Sequence, residues 1–191
     1  NELIKVFDIN KISKSPAIFN KEKLDWFNGQ YILNLTHENF GKEINNYFKQ
    51  FLNSNKFKAI QSYDINDISV MIKQRCKTLN DAIMLTEFLY EEPIFESKSE
   101  IQVMCDTPDQ CQSILTNSIN SLNEIQEFTT ENIESTLKSL MNTLGVKPKH
   151  LLGTLRIVIT NQKVSPPIFD CLYILGKKES IKRIQSAIDY L

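Results

Sequence analysis

Apolar residues recur along this chain at intervals of three and four, the spacing that gathers them on one face of an α-helix. Only five Gly and six Pro interrupt them, so the pattern predicts helices joined by short turns. Asn20 is placed to cap a segment carrying Leu24, Phe27, Tyr31 and Ile32. Thr36 caps the next, with Phe40, Ile44, Tyr47, Phe48, Phe51 and Leu52 on one side. Both segments read as amphipathic and packed, and Trp26, Phe27 and Tyr31 read as packing residues rather than base platforms.

Asp64 begins a third run through Ile65, Ile68, Met71 and Ile72, and Asn80 a fourth through Ile83, Met84, Phe88 and Leu89. Residues 91–99 then lose the periodicity, turn acidic and contain Pro93. A division into two helical subdomains, 1–95 and 96–191, is expected there. Beyond it, Thr107 followed by Pro108 is a helix start, because a first-turn proline gives up an N–H that would be unpaired anyway. A longer helix runs from Thr130 through Leu137, Leu140, Met141 and Leu144 to Gly145, whose freedom at positive φ supplies the stop.

Lys147, Pro148, Lys149 and His150 open a segment containing residues 155–160, which are β-branched enough to suit a strand. With no partner strand nearby, helix is the expectation. Ser165 with Pro166 and Pro167 repeats the cap-plus-proline start and leads to Gly176, and a final helix over about 179–190 puts Ile181, Ile184 and Ile188 inward. The fold class is all-α.

Composition narrows the function classes. With 41% hydrophobic and 24% charged residues the chain is globular rather than disordered, and no apolar run approaches a membrane span. It opens on Asn1 without an initiator Met, which suggests a piece of a longer protein. Cys76, Cys105, Cys111 and Cys171 lack zinc or redox spacing and read as reduced, packed thiols of a cytoplasmic protein. The net charge of −1 argues against a general polyanion binder, but residues 137–191 carry nine Lys and Arg against three acids, while residues 1–136 carry thirteen against twenty. One end could face a phosphate backbone, or simply be a solvated basic face.

Familiar catalytic chemistry is missing. Gly41-Lys42 stands without the upstream glycine of a phosphate loop, and His37 and His150 have no companions at metal-ligand spacing. No catalytic residue and no metal site is expected in this chain. Lys11, Ile12, Ser13, Lys14 and Ser15 match the KMSKS loop of class I aminoacyl-tRNA synthetases. Without a preceding nucleotide fold that match is a decoy, and Ser13 to Pro16 reads as an extended turn.

A longer pattern surrounds it. Phe7-Asp8, Ser13 to Ala17, Phe19, Lys23-Leu24, Trp26, Asn28 and Gln30 to Ile32 together resemble the "SKSPA.F...KL.W.N.QYI" block of bacterial glutamyl-tRNA synthetases. Residues 75–79 resemble that family's "R.KTL" segment, and Leu155-Arg156 to Thr160, Ser165 to Pro167, Phe169 and Leu175 to Lys177 resemble its "PLR.ALTG...SPPLFE.L.LLGKE" ending. The resemblance implies the all-helical anticodon-binding region, in two subdomains, of an enzyme that ligates glutamate to tRNA using ATP and Mg2+ in a catalytic domain this chain lacks. It implies Arg75 near the first anticodon base, and Lys138, Arg156 and Ser165 at or beside positions contacting the following bases. The implied partners are glutamate tRNA isoacceptors and the missing N-terminal catalytic domain, in a monomeric, cytoplasmic enzyme with no membrane contact. The chain departs from the pattern at Asn161, where relatives carry Gly but a left-handed residue is still possible, and at Lys138, where relatives carry Arg and a flat bidentate contact would be lost. Two other readings compete: a helical protein-interaction domain with a basic C-terminal face, and a helix-turn-helix DNA binder, which the net charge disfavours.

Overall fold

The computed structural model describes residues 2–11 and 18–191, and among them every regular element is helical. The extended turn expected over Ser13 to Pro16, and most of the KMSKS-like motif, lie outside the described residues. After a short α1 (Glu2–Val6), α2 (Lys21–Asn34) starts where Asn20 accepts a hydrogen bond from the Lys23 amide. In α3 (His37–Phe51) the Thr36 hydroxyl accepts from the Asn39 amide, and Phe40, Ile44 and Phe48 are wholly buried. Each buried Phe contributes about 2–3 kcal/mol of transfer free energy. Following α4 (Ser54–Ile60), α5 (Ile65–Ile72) and α6 (Leu79–Thr86) cover that face of α3, with Ile65 packed over the bare backbone at Gly41.

The second group of helices comprises α7 (Lys98–Gln102), α8 (Pro108–Glu124), α9 (Thr130–Leu144), α10 (Pro148–Thr160) and α11 (Ile168–Tyr190). The β-branched run at 155–160 is helical, with Leu155, Val158 and Ile159 fully buried. Gly145 (φ 62°) and Asn161 (φ 54°) both end their helices in the left-handed region, as their positions predict. α11 packs against α8, α9 and α10 and also meets α5, joining the two groups.

Several expectations need correcting. α2 is not packed along its apolar face: Leu24, Trp26, Phe27 and Tyr31 are exposed, and burial falls on Gly29 and Ile32. Helical spacing shows that a face is apolar but does not name what covers it. The fourth helix is capped by Thr78 rather than started at Asn80. Thr78 accepts from the Asp81 amide while the Asp81 carboxylate accepts from the Thr78 amide, a reciprocal capping box. Phe88 and Leu89 fall in a 3-10 turn beyond its end. Ser165 does not cap the helix after it, whose N-cap is Pro167 with no side-chain bond. Gly176 does break the helix as expected: its φ of 79° and ψ of 161° are non-helical and kink α11, which is two helical stretches joined there, the second running to Tyr190. In the final turns Ile184 and Ala187 are the wholly buried apolar side chains, with Ile181 and Ile188 only partly covered.

Polar groups close the helix ends. The Lys177 ammonium, one residue past the kink, donates to the carbonyls of Asn123 and Ile125 where α8 finishes. Arg183, almost fully buried, donates to the Ile159 carbonyl at 2.7 Å and to Glu179 at 2.9 Å, so its charge is paired and a carbonyl of the last turn of α10 is satisfied. Burial pushes the Cys76, Cys111 and Cys171 thiols up to about 12, which leaves them unreactive near neutral pH.

Candidate functional site

Arg75 owes its position to a buried lysine. α5 tightens into a 3-10 turn, Lys73–Arg75, because the Lys73 ammonium turns inward and donates to the Leu35 carbonyl just past the end of α2. Ser69 reinforces the same junction by donating to the His37 carbonyl at 2.8 Å. Arg75 is thereby turned outward, onto a cavity of about 470 Å³ that it lines with Val70, Met71, Gln74, Pro167 and Asp170. The first half of the chain supplies four of these residues and the start of α11 the other two.

The segment that brings Pro167 there is held at several points. Beyond the left-handed Asn161, the Asn161 amide side chain donates to the Ile94 carbonyl and Gln162 donates to that of Met84, pinning the turn to the first half of the chain. Arg156, on α10, then donates through Nε to the Ser165 hydroxyl at 3.1 Å, and Ser165 donates to the Pro166 carbonyl at 2.9 Å. The chain therefore leaves Ser165 along a fixed path to Pro167. Arg75 and Arg156 are both near enough to Cys171 for their charges to act against the dominant effect of burial on its thiol.

Lys138 does not line the cavity. It is exposed on α9 and paired with Glu134 at 2.7 Å, one turn earlier on the same helix. Asp170 was not singled out from the sequence, although the resemblance block places an acid at that point. It sits in the first turn of α11, half-buried. Burial raises its pKa. A hydrogen bond from Thr130 and the charge of Arg75 oppose that, while the charges of Glu131 and Glu134 add to it. Of the residues expected from the resemblance, Arg75 lines the cavity with Asp170; Arg156 and the buried Ser165 are bonded to each other and do not line it, and Lys138 is tied to it only through its partner Glu134, whose charge acts on Asp170.

Such an arrangement offers a guanidinium donor, an amide side chain, a carboxylate acceptor and a proline face around an open cavity. Those groups suit planar, hydrogen-bonding ligands such as unstacked bases. Among the described residues no group of three His, Cys, Asp or Glu stands close enough to hold a metal ion, and no helix is long and apolar enough to cross a membrane.

Comparison with known proteins decides the family. Residues 39–188 match the sequence profile described as "Anticodon binding domain". The chain belongs to that family. Over its whole length this anticodon-binding chain is similar to the glutamate–tRNA ligases of Clostridium acetobutylicum, at 29% identity, and Clostridium kluyveri, at 32%. It spans 38% of the length of each. The fold is similar to that of a glutamate tRNA ligase from Elizabethkingia meningosepticum, with a TM-score of 0.78 at 23% identity, covering 100% of this chain and 36% of that one. The all-helical architecture expected from the resemblance is the one observed.

Proposed function

We propose that this chain reads the anticodon of glutamate tRNA for an enzyme that ligates glutamate to tRNA. The observation that carries the reading is an open cavity that Arg75, from the first half of the chain, lines together with Pro167 and Asp170, at the end of the segment that Arg156 holds through Ser165. Guanidinium groups can hydrogen-bond the edges of unpaired bases and stack on their faces. In this reading Arg75 meets the first anticodon base, Arg156 and Ser165 the following ones, and Lys138 the adjoining backbone or base edge. The boundary between the two subdomains lies near residue 95. Glutamate activation, with ATP and Mg2+, belongs to a catalytic portion in the remaining length that the relatives possess. The uncovered aromatic face of α2 is where that portion docks, and the assembled enzyme is a cytoplasmic monomer.

The test is binding of the protein to glutamate tRNA and to the same tRNA with an altered anticodon, across a salt series, with Arg156→Ala alongside. The expected result is a preference for the native anticodon and a loss of roughly 5- to 150-fold in affinity for Arg156→Ala, the range of about 1–3 kcal/mol typical of a base-reading contact. Binding that ignores both changes would reduce this surface to a nonspecific basic face. No binding at all would favour a protein partner for it.

A further inference from the structure

The residues that the resemblance implies for base reading offer mainly donors. Two arginines and a lysine can address the acceptor atoms of a base or the phosphates, but they cannot address a donor. RNA presents donors at exocyclic amines, ring N–H groups and 2′-hydroxyls. Reading them requires an acceptor, and around the cavity Asp170 is the charged one, with Gln74 the other polar side chain besides Arg75. Asp170 is an odd residue to find on a surface that meets a polyanion. It is half-buried, and it lies within range of Glu131 and Glu134, whose charges repel it. It forms no cap for its own helix, whose N-cap lacks any side-chain bond. The Thr130 hydrogen bond and the charge of Arg75 both favour its ionised form, which accepts only.

We propose that Asp170 is a specificity-determining residue of the anticodon surface, accepting a hydrogen bond from the exocyclic amine of the last anticodon base, seated against Pro167. This rests on the anticodon reading above. Carboxylates pair in this way with the cytosine amine. Glutamate codons begin with G and A, so the anticodon of glutamate tRNA ends in uracil and cytosine. Cytosine is the amine-bearing base that every such anticodon contains. Uracil in its place presents a carbonyl oxygen where the amine was, and two acceptors would then face each other.

The experiment measures binding of the protein and of Asp170→Ala to glutamate tRNA carrying, at that position, either cytosine or pyrimidin-2-one, which lacks only the amine. A third tRNA carries 2′-deoxycytidine, and a fourth a scrambled anticodon. Wild type is expected to bind the pyrimidinone tRNA about tenfold more weakly than the cytosine tRNA, and Asp170→Ala to bind the two within about twofold of each other. Equal wild-type affinity for cytosine and pyrimidinone would overturn the proposal, as would full discrimination surviving in Asp170→Ala. A penalty confined to the deoxy tRNA would also overturn it, by assigning the acceptor to a 2′-hydroxyl. The scrambled anticodon separates the two levels. If wild type does not distinguish it from the native one, the anticodon reading itself fails. Should Asp170→Ala lose its helical circular dichroism, the wild-type comparison of cytosine with pyrimidinone decides alone.

Discussion

Gly176 and Gly145 together isolate the energetic cost of backbone geometry. A Cβ built on either would meet no atom within 4 Å, so crowding by neighbours plays no part in replacing them. Their torsions differ. Gly145 lies in the left-handed helical region (φ 62°, ψ 28°), where an L-residue pays roughly 1–2 kcal/mol. Gly176 combines φ 79° with ψ 161°, a region open essentially to glycine alone, where the strain is about 1–3 kcal/mol and the upper half is expected. Alanine also restricts the unfolded chain, which returns about 0.4–1 kcal/mol in both cases. The net expectation is about 0.5–1 kcal/mol lost for Gly145→Ala and about 1–2 kcal/mol for Gly176→Ala. Urea unfolding followed by circular dichroism measures the difference. With a slope of about 2 kcal/mol/M, the Gly176→Ala midpoint should fall by roughly 0.5–1 M with the slope unchanged. Because the kink sets the angle of the Ile168–Leu175 half of α11, folded Gly176→Ala protein should also bind tRNA less well. A Gly176→Ala protein as stable as wild type, or less damaged than Gly145→Ala, would refute the reasoning.

Lys177→Met should lower stability by about 1.5–3 kcal/mol, since it removes charge-assisted bonds to two carbonyls at the end of α8; a denaturation midpoint unmoved by the change would count against that role. Asp170 carries a linked prediction. Its pKa is raised on folding, so between the ordinary aspartate value, about 4, and the raised one the native state holds the extra proton, and stability falls as pH rises through that window. Asp170→Asn should therefore be more stable than wild type at neutral pH, with the gain disappearing below about pH 4; an Asn variant less stable at pH 7 would contradict it. Trp26, the sole tryptophan, is 58% exposed and should be quenched efficiently by acrylamide in the isolated chain and shielded once a catalytic portion covers α2.

Much of the fold was legible because the signals were local. Asn20, Thr36, Asp64 and Thr107 each accept a bond from an amide in the first turn of the helix they precede, and such caps need no tertiary partner. Gly145 and Asn161 stop their helices for equally local reasons. Where tertiary contacts intervene, the same residue types mislead. Ser165 precedes two prolines as a cap would, yet Arg156 claims its hydroxyl. Leu24, Phe27 and Tyr31 have the spacing of a packed face, but nothing among the described residues covers them. Of the site, Arg75, Arg156 and Ser165 could be chosen from resemblance, whereas Asp170 could not be weighed until the cavity showed what it faces.

Arg75 and Asp170 line one cavity although 95 positions of chain separate them. The cavity is therefore a product of late assembly: neither cluster of helices builds it alone, and it appears only when α11 settles against α5. Local contacts within each cluster can form quickly, while this closure must wait on the ordering of nearly half the molecule. A ligand seated there would draw its affinity partly from holding the two clusters together. Its arrival should accordingly be felt as slowed amide exchange along α5 and the first turns of α11, beyond the residues it touches.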